Sequence, residues 1–150
     1  MRVIEDNTEF ERLDAELDYL QKHMLIIGVI GDEYVDGVSV QKYAIYNEYG
    51  TVYIPARSFF RRVTGTRRGI SKIEARLDEQ INEIIEGKQT GEGALKNVGV
   101  YTVSLLKESL LEGNWQANSK ETSERKGTQK PPLVDTGTLL KNISYEIRRK

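Results

Sequence analysis

Residues 45–61 read IYNEYGTVYIPARSFFR, and the rest of the chain is best interpreted outward from this stretch. It holds five aromatic residues, one glycine and one proline. The residues before Gly50 suit a short helix over 40–49, because glycine readily takes the left-handed conformation that ends a helix. Residues 51–54 have the composition of a strand, which Pro55 would end or hold at a sheet edge. The stretch therefore predicts a helix, a tight turn and a short strand.

Apolar residues that recur every three or four positions predict three further helices. The first begins at a capping box formed by Thr8 and Glu11 and runs to about residue 22. Two long helices cover about 70–86 and 93–111. The residues expected on the apolar sides of the four helices are Phe10, Leu13, Leu17 and Leu20; Ala44, Ile45 and Tyr49; Ile73, Leu77, Ile81, Ile84 and Ile85; and Leu95, Val98, Thr102, Leu105, Leu106 and Ser109.

Strands are predicted near residues 23–31, 51–54 and 143–148. The first has the continuous apolar character of a strand buried on both faces, and the last alternates apolar and polar residues. The fold class predicted is α+β, in which two long helices and a shorter N-terminal helix cover one face of a small, mainly antiparallel sheet. We expect one domain over 1–150, interrupted by a polar, mobile loop at 115–130.

Composition narrows the classes of function. The net charge is −1, which argues against a general nucleic-acid-binding surface. The chain has no cysteine, which excludes disulfide and thiolate chemistry. The first residues lack the apolar run of a signal peptide, and the longest apolar stretch, at 24–30, is too short to span a bilayer. We therefore expect a soluble protein, made in a cytoplasm, with no membrane partner.

The sharpest sign of catalysis is the sequence LVDTG at 133–137, which matches the aspartic-protease signature. That chemistry needs two aspartates that share a proton, here Asp135 from each chain of a dimer. The protease fold is all-β and places its aspartate early, whereas this chain has long predicted helices and a late Asp135. The local alternative is that Asp135 or Thr136 caps a turn beginning at Thr138, with Gly137 allowing the bend.

Other reactive groups are sparse, and we expect no catalytic, cofactor or metal site. His23 is the only histidine, and no spacing of ligands accompanies it. The arginines between Arg57 and Arg68 lie beside Phe59 and Phe60. That combination suits a protein interface, and also nucleic acid, although the net charge favours protein and no specific nucleic-acid partner is expected.

Four tyrosines between 43 and 53 suit either core packing or a subunit interface, where tyrosine is enriched. Both interpretations remain open at this point. If the segment is an interface, its candidate residues are Tyr43, Tyr46, Tyr49, Tyr53, Arg57, Phe59, Phe60 and Arg61.

Three motifs in this order resemble the neck, or tail-completion, proteins of long-tailed bacteriophages. They are EYGT at 48–51, PARSF at 55–59 and PLVDTGTL at 132–139. Ser58 departs from the family pattern, in which proline is common at that position. The resemblance covers about residues 24–148. The residues that carry it structurally are Glu48, Gly50, Thr51, Pro55, Asp135, Thr136 and Gly137.

The resemblance implies a non-enzymatic virion protein that assembles at the head–tail joint in the host cytoplasm. It implies a ring of copies, hexameric in that family, and contacts with connector, head-closure or tail proteins. The alternatives are a tail-terminator or minor tail component, which would differ in location only, and the homodimeric aspartic peptidase using Asp135. A stand-alone nucleic-acid-binding module using 57–68 is a further class.

Overall fold

The computed structural model describes residues 7–117 and 137–150, together with Lys120 and Glu124. Six helices and four strands have both of their ends within these residues. In chain order they are α1 (Thr8–Lys22), β1 (His23–Val29), β2 (Tyr34–Val35), β3 (Val38–Ser39), α2 (Val40–Tyr49), α3 (Phe59–Thr64), α4 (Arg67–Ile85), α5 (Gly91–Glu112), α6 (Thr138–Asn142) and β4 (Ile143–Arg149).

The main sheet pairs β1 with β4 in antiparallel register, from His23 opposite Arg149 to Val29 opposite Ile143. Side chains alternate between the faces of a strand. Ile27 and Val29 therefore share a face with Ile143, and this face contributes to the hydrophobic core. The predicted α+β class, with a small antiparallel sheet, long helices and an N-terminal helix, is confirmed.

The strand predicted at 51–54 is wrong, because these residues form a bend. The backbone N–H of Thr51 donates to the carbonyl of Ile54 at 2.8 Å. The Thr51 hydroxyl accepts from the amides of Tyr53 and Ile54, at 3.2 and 3.0 Å. These local bonds use the groups that a sheet ladder would need.

A two-residue hairpin that the sequence analysis did not predict joins β2 to β3. Its turn places Asp36 and Gly37 at φ 51° and 78°, as the tight hairpin turns require. Glu33, just before the hairpin, accepts bonds from Lys141 and Asn142 on α6. The hydrogen bond from Lys141 is the largest cause that lowers the pKa of the Glu33 carboxyl, and the bond from Asn142 lowers it further.

The hydrophobic core surrounds the C-terminal half of α5. Its buried members are Val40, Ala44, Phe59, Val63, Leu105, Leu106, Leu110, Leu139 and Ile143. Nearer its start, α5 approaches the sheet so closely that a Cβ on Gly99 would lie 2.6 Å from the Tyr145 ring. Helix α4 packs in turn against α5 and α3.

Two helix starts differ from their predictions. Helix α1 begins at Thr8, so its N-cap is Asn7 rather than the predicted Thr8, and the Asn7 side chain makes no cap hydrogen bond. Helix α4 begins at Arg67 rather than 70, because the Thr66 hydroxyl accepts the amide of Gly69 at 3.2 Å. Residues 66–69, which precede the predicted start, are therefore cap and helix.

Several predicted buried faces are more exposed than expected. In α2, Ala44 is buried, but Ile45 and Tyr49 are exposed and Asn47 and Glu48 lie inside instead. In α1 no residue is buried. Strand β1 is at most half-buried along its length rather than buried on both faces.

In the described part of the chain, no helix combines the length and apolar character needed to cross a membrane.

Most of the loop predicted at 115–130 lies outside the described residues. Trp115, at its start, packs against the core and its indole N–H donates to the Leu110 carbonyl at 3.1 Å. The polar segment therefore begins after Trp115 rather than at it.

Candidate functional site

Glu48, the first residue of the EYGT motif, makes the hydrogen bonds that hold this part of the chain together. Its carboxylate is buried and accepts the backbone amides of Phe60 and Arg61, at 2.9 and 3.0 Å. The Arg61 guanidinium closes the arrangement, with Nε 3.0 Å from the same carboxylate. A carboxylate is favourable at a helix N-terminus because the first amides have no partner within the helix. Glu48 thus fastens the start of α3 to the end of α2.

Arg57 makes a second connection from the interior. It is only 4% exposed, and its guanidinium donates to the Asn47 side-chain oxygen at 3.2 Å and to the Gln116 carbonyl at 3.1 Å. Its backbone N–H donates to the Asn47 carbonyl at 2.6 Å. Burial lowers the pKa of Arg57, although an arginine remains charged under ordinary conditions. Arg57 therefore joins α2 to the chain that leaves α5.

Gly50 and Thr51 shape the turn between these two connections. Gly50 has φ 78°, and a Cβ there would lie 2.9 Å from the Ala56 amide nitrogen. The tight approach of the chain to itself therefore requires glycine. We call Glu48, Gly50, Thr51, Arg57 and their bonds the motif bracket.

The motif bracket presents an exposed apolar tip. Val52 and Tyr53 are each 94% exposed, and Tyr49 beside them is also exposed. The Arg61 guanidinium lies 4.7 Å from the centre of the Tyr49 ring, a cation–π arrangement. We call Tyr49, Val52 and Tyr53 the aromatic tip.

An open, mostly apolar groove of about 280 Å³ lies next to the tip, between α2 and α3. Its lining includes Val29, Ala44, Ile45, Tyr49 and Phe60. The groove and the tip form one continuous surface because Tyr49 belongs to both. Such a surface can receive apolar side chains from another protein.

The eight predicted interface residues separate into two groups. Tyr46, Tyr49, Tyr53 and Arg61 are exposed, and Tyr43 and Phe60 are half-buried. Arg57 and Phe59 are buried, so their prediction as surface contacts is corrected. Phe59 is part of the core, and its carbonyl accepts the Ser109 hydroxyl at 2.9 Å.

Arg62 and Arg68 do not belong to a uniformly positive surface. A cleft of about 450 Å³ is lined by Arg62, Arg68 and Lys72 on one side and by Glu108 and Glu112 on the other. Carboxylates beside the cations oppose the binding of a phosphate backbone. This mixture gives no support to the nucleic-acid alternative.

Most of the third motif, including Asp135 and Thr136, lies outside the described residues. Gly137 is described and has φ 74° immediately before α6. The predicted bend at Gly137 and the short helix from Thr138 are therefore present. The capping role predicted for Asp135 or Thr136 stays a prediction.

His23 takes part in local packing. Its ring stacks on Tyr19 with centroids 4.0 Å apart, and Nδ1 lies 2.8 Å from the Tyr19 carbonyl oxygen. Within residues 7–117 and 137–150, no group of three or more His, Asp or Glu residues is placed to hold a metal ion.

Sequence reasoning missed Asn47 and Glu48 as buried connectors. Both lie on the side of α2 that faces the core, and Asn47 is 1% exposed. The available signal was their spacing, because Asn47 and Glu48 follow Ala44 by three and four positions and so share its side of the helix. Comparison with protein-family models, with curated proteins and with solved structures returned no match to this chain.

Proposed function

We propose that this protein is a non-enzymatic structural component of the head–tail joint of a long-tailed phage or prophage, acting in neck formation or tail completion. It would form or join a ring during assembly in the host cytoplasm and remain in the virion. Its partners would be further copies of itself and connector, head-closure or tail proteins. The observation that carries the proposal is the aromatic tip, in which Val52 and Tyr53 are almost fully exposed although residues of the motifs hold the chain on both sides of them.

An exposed valine and tyrosine side by side are unfavourable in water unless another surface covers them. Tyrosine is among the residues most enriched where proteins meet. The tip is also stiff, because Glu48 and Arg57 fix the chain on both sides of it. A preorganised contact loses less conformational entropy on binding than a mobile loop does. These features favour an assembly contact over a catalytic loop.

The sheet supports the same proposal. Among the described residues, β1 and β4 pair only with each other, so the outer edges of both strands are without a ladder partner. A two-stranded sheet is marginal by itself and gains stability from packing or from further strands. Neighbouring subunits in a ring could provide either.

The test is the mass of the purified protein by light scattering after size exclusion, over a concentration series, with negative-stain images of the largest species. We expect a closed ring for the unaltered chain. The double variant Val52→Ser/Tyr53→Ser should move the population to smaller species, because it removes the tip. Tyr34→Ser is the matched control, since Tyr34 is also exposed but lies on the hairpin.

A chain that stays monomeric at every concentration would contradict self-assembly. Rings that form equally well in the double variant would show that the aromatic tip is not the subunit contact. An equal loss of rings in Tyr34→Ser would show that the effect is not specific to the tip.

A further inference from the structure

Strand β1 has the composition of an interior strand but lies at a sheet edge in the single chain. Its seven residues include no Asp, Glu, Lys, Arg or Pro. Its pairing with β4 runs without a bulge, and among the described residues β4 is its only neighbour in the sheet. Native edge strands usually carry charged residues, proline or a bulge, because these features discourage further pairing. The composition of β1 and its position therefore disagree.

The backbone groups that β1 leaves free can be assigned from the two bonds at the ends of its ladder. The Lys150 amide donates to the Lys22 carbonyl, and the Ile30 amide donates to the Asn142 carbonyl, both at 2.8 Å. In an antiparallel pair, alternate residues direct both of their backbone groups to the partner strand. The even-numbered residues of β1 therefore face β4, and the odd-numbered residues direct their amides and carbonyls outward. The outward residues are His23, Leu25, Ile27 and Val29.

Three of these outward residues form an open row of donors and acceptors. The His23 amide donates to the Tyr19 carbonyl at the end of α1. In the part of the chain that the structure describes, the amides of Leu25, Ile27 and Val29 make no such bond. We call these three residues the β1 edge. Backbone amides and carbonyls are strong hydrogen-bonding groups, so the β1 edge either stays in water or pairs with another strand.

Strand β4 differs because it carries the charges expected of an edge strand. Three of its seven residues are charged, namely Glu146, Arg148 and Arg149. Glu146 and Arg148 lie on the same face of the strand and form an ion pair with each other. A strand added beside β4 would remove water from these groups, which is unfavourable. The free side of β4 is therefore protected against further pairing, and the β1 edge is not.

We propose that two copies of this chain pair through their β1 edges, in antiparallel orientation and about a two-fold axis. The product is a four-stranded sheet in the order β4–β1–β1–β4. Both uncharged strands lie inside this sheet, and both charged strands form its outer edges. Pairing of β1 with the β4 of another copy would instead cover a charged edge and leave one uncharged edge open.

A second copy of β1 also fits the β1 edge in its side chains. Residues directly opposite each other in an antiparallel pair lie on the same face of the sheet. Leu25, Ile27 and Val29 of one copy would therefore meet the same three residues of the other on the side that faces the helices. The contact is a two-fold one, in which the same surface serves both partners.

This pairing goes beyond the proposed function, because it joins two copies whether or not a ring forms. It uses the backbone of β1, whereas the proposed ring contact uses Val52 and Tyr53. The double variant Val52→Ser/Tyr53→Ser should therefore lose rings and keep the β1 pair. Failure of one proposal can in this way be distinguished from failure of the other.

Amide hydrogen exchange tests the pairing residue by residue. The rates are measured by NMR in the Val52→Ser/Tyr53→Ser background over a concentration series, with the mass followed by light scattering. The amides of the β1 edge should exchange at least about tenfold more slowly in the dimer than after dilution to monomer, because pairing protects them. The amide of Ile26 faces β4 and should be protected at every concentration.

The free side of β4 supplies the internal control. The amides of Tyr145 and Ile147 point away from β1 and should exchange at the same rate at every concentration. A gain of protection at these two amides in place of the β1 edge would show that copies meet through β4, and would overturn the proposal. Protection of the β1 edge that is absent, or that does not depend on concentration, would overturn it as well.

A charged variant provides a second, independent measurement. Ile26 on β1 and Ser144 on β4 are both half-buried and lie on the face of the sheet that carries Gly28, where a Cβ would meet nothing within 4 Å. Ile26→Lys should raise the dimer dissociation constant by about tenfold or more, because it brings two lysines close to the two-fold axis. Ser144→Lys is the matched control and should dimerise normally.

Circular dichroism of both variants should match that of the unaltered chain. Unchanged dimerisation of a correctly folded Ile26→Lys would overturn the proposal, and so would an equal loss in Ser144→Lys. If Ile26→Lys does not fold, the exchange measurement still decides, because it needs no change in the sheet.

Discussion

Glu48 shows how one buried carboxylate can organise a loop more than ten residues away. Its three bonds to Phe60 and Arg61 form only when the chain between α2 and α3 has closed. Glu48→Gln keeps the size of the side chain but replaces one acceptor oxygen with a donor group. We expect it to lower the free energy of unfolding by about 1–3 kcal/mol, the cost of leaving buried donors unsatisfied. Urea unfolding measures this loss.

Glu79→Gln is the matched control for that change. Glu79 pairs with Arg76 on the surface of α4 and is half exposed. An exposed pair contributes little, so the expected change is within about 0.5 kcal/mol. If the two variants lost equal stability, the bracket role assigned to Glu48 would be wrong.

For single residues, the sequence singled out Arg57 as important but did not indicate that its side chain is buried. Arg57 was predicted as a surface contact because arginine beside aromatic residues suits a protein interface. It is buried because Asn47 and carbonyl groups after α5 accept its bonds, and these partners come together only in the folded chain. Such long-range satisfaction of polar groups is invisible to local patterns.

At the scale of elements, the contact of α5 with the sheet depends on Gly99. An added Cβ would meet the Tyr145 ring at 2.6 Å, so Gly99→Ala must move the helix or the ring. We expect a loss of about 1–3 kcal/mol in the free energy of unfolding, as for other overpacked sites. Thermal and urea unfolding would detect this.

In the same sheet, Gly28→Ala should not destabilise the fold, in contrast to Gly99→Ala. A Cβ on Gly28 would meet nothing within 4 Å. The change should be neutral, or stabilising by up to about 1 kcal/mol, because alanine restricts the unfolded chain more than glycine does. A destabilisation as large as that of Gly99→Ala would show that the outer face of β1 is not open.

The long helices were predictable because their apolar repeats extend over many turns. Helix α5 was expected from 93 to 111 and runs from Gly91 to Glu112. Residues 51–54 were mispredicted because β-type composition was outweighed by the side-chain bonds of Thr51. The hairpin at residues 34–39 was missed because two-residue strands leave almost no periodic signal.

At the scale of the whole molecule, α1 is attached by polar bonds and has no buried residue. Arg12 donates to the carbonyls of Ile84 and Ile85, and Glu16 accepts the amide of Gly91. Helix α5 is instead the centre of the core. We expect native-state hydrogen exchange to show α1 amides opening at a lower free energy than α5 amides, because few apolar contacts hold α1.

Mass spectrometry after exchange and proteolysis can compare the two helices in one sample. Equal protection of α1 and α5 would contradict this expectation and would indicate that α1 unfolds only with the core. Arg12→Ala should accelerate exchange in α1 further while leaving α5 unchanged.

The pairing of β1 with β4 also determines how the fold would respond to mechanical load. The ladder closes where the Lys150 amide meets the Lys22 carbonyl at 2.8 Å. A pull applied at that end would open the antiparallel bonds one after another, like a zipper. A pull that drew the two strands past each other would load every bond at once, because these bonds lie across the strands. The same sheet would therefore be weak in one direction of tension and strong in the other.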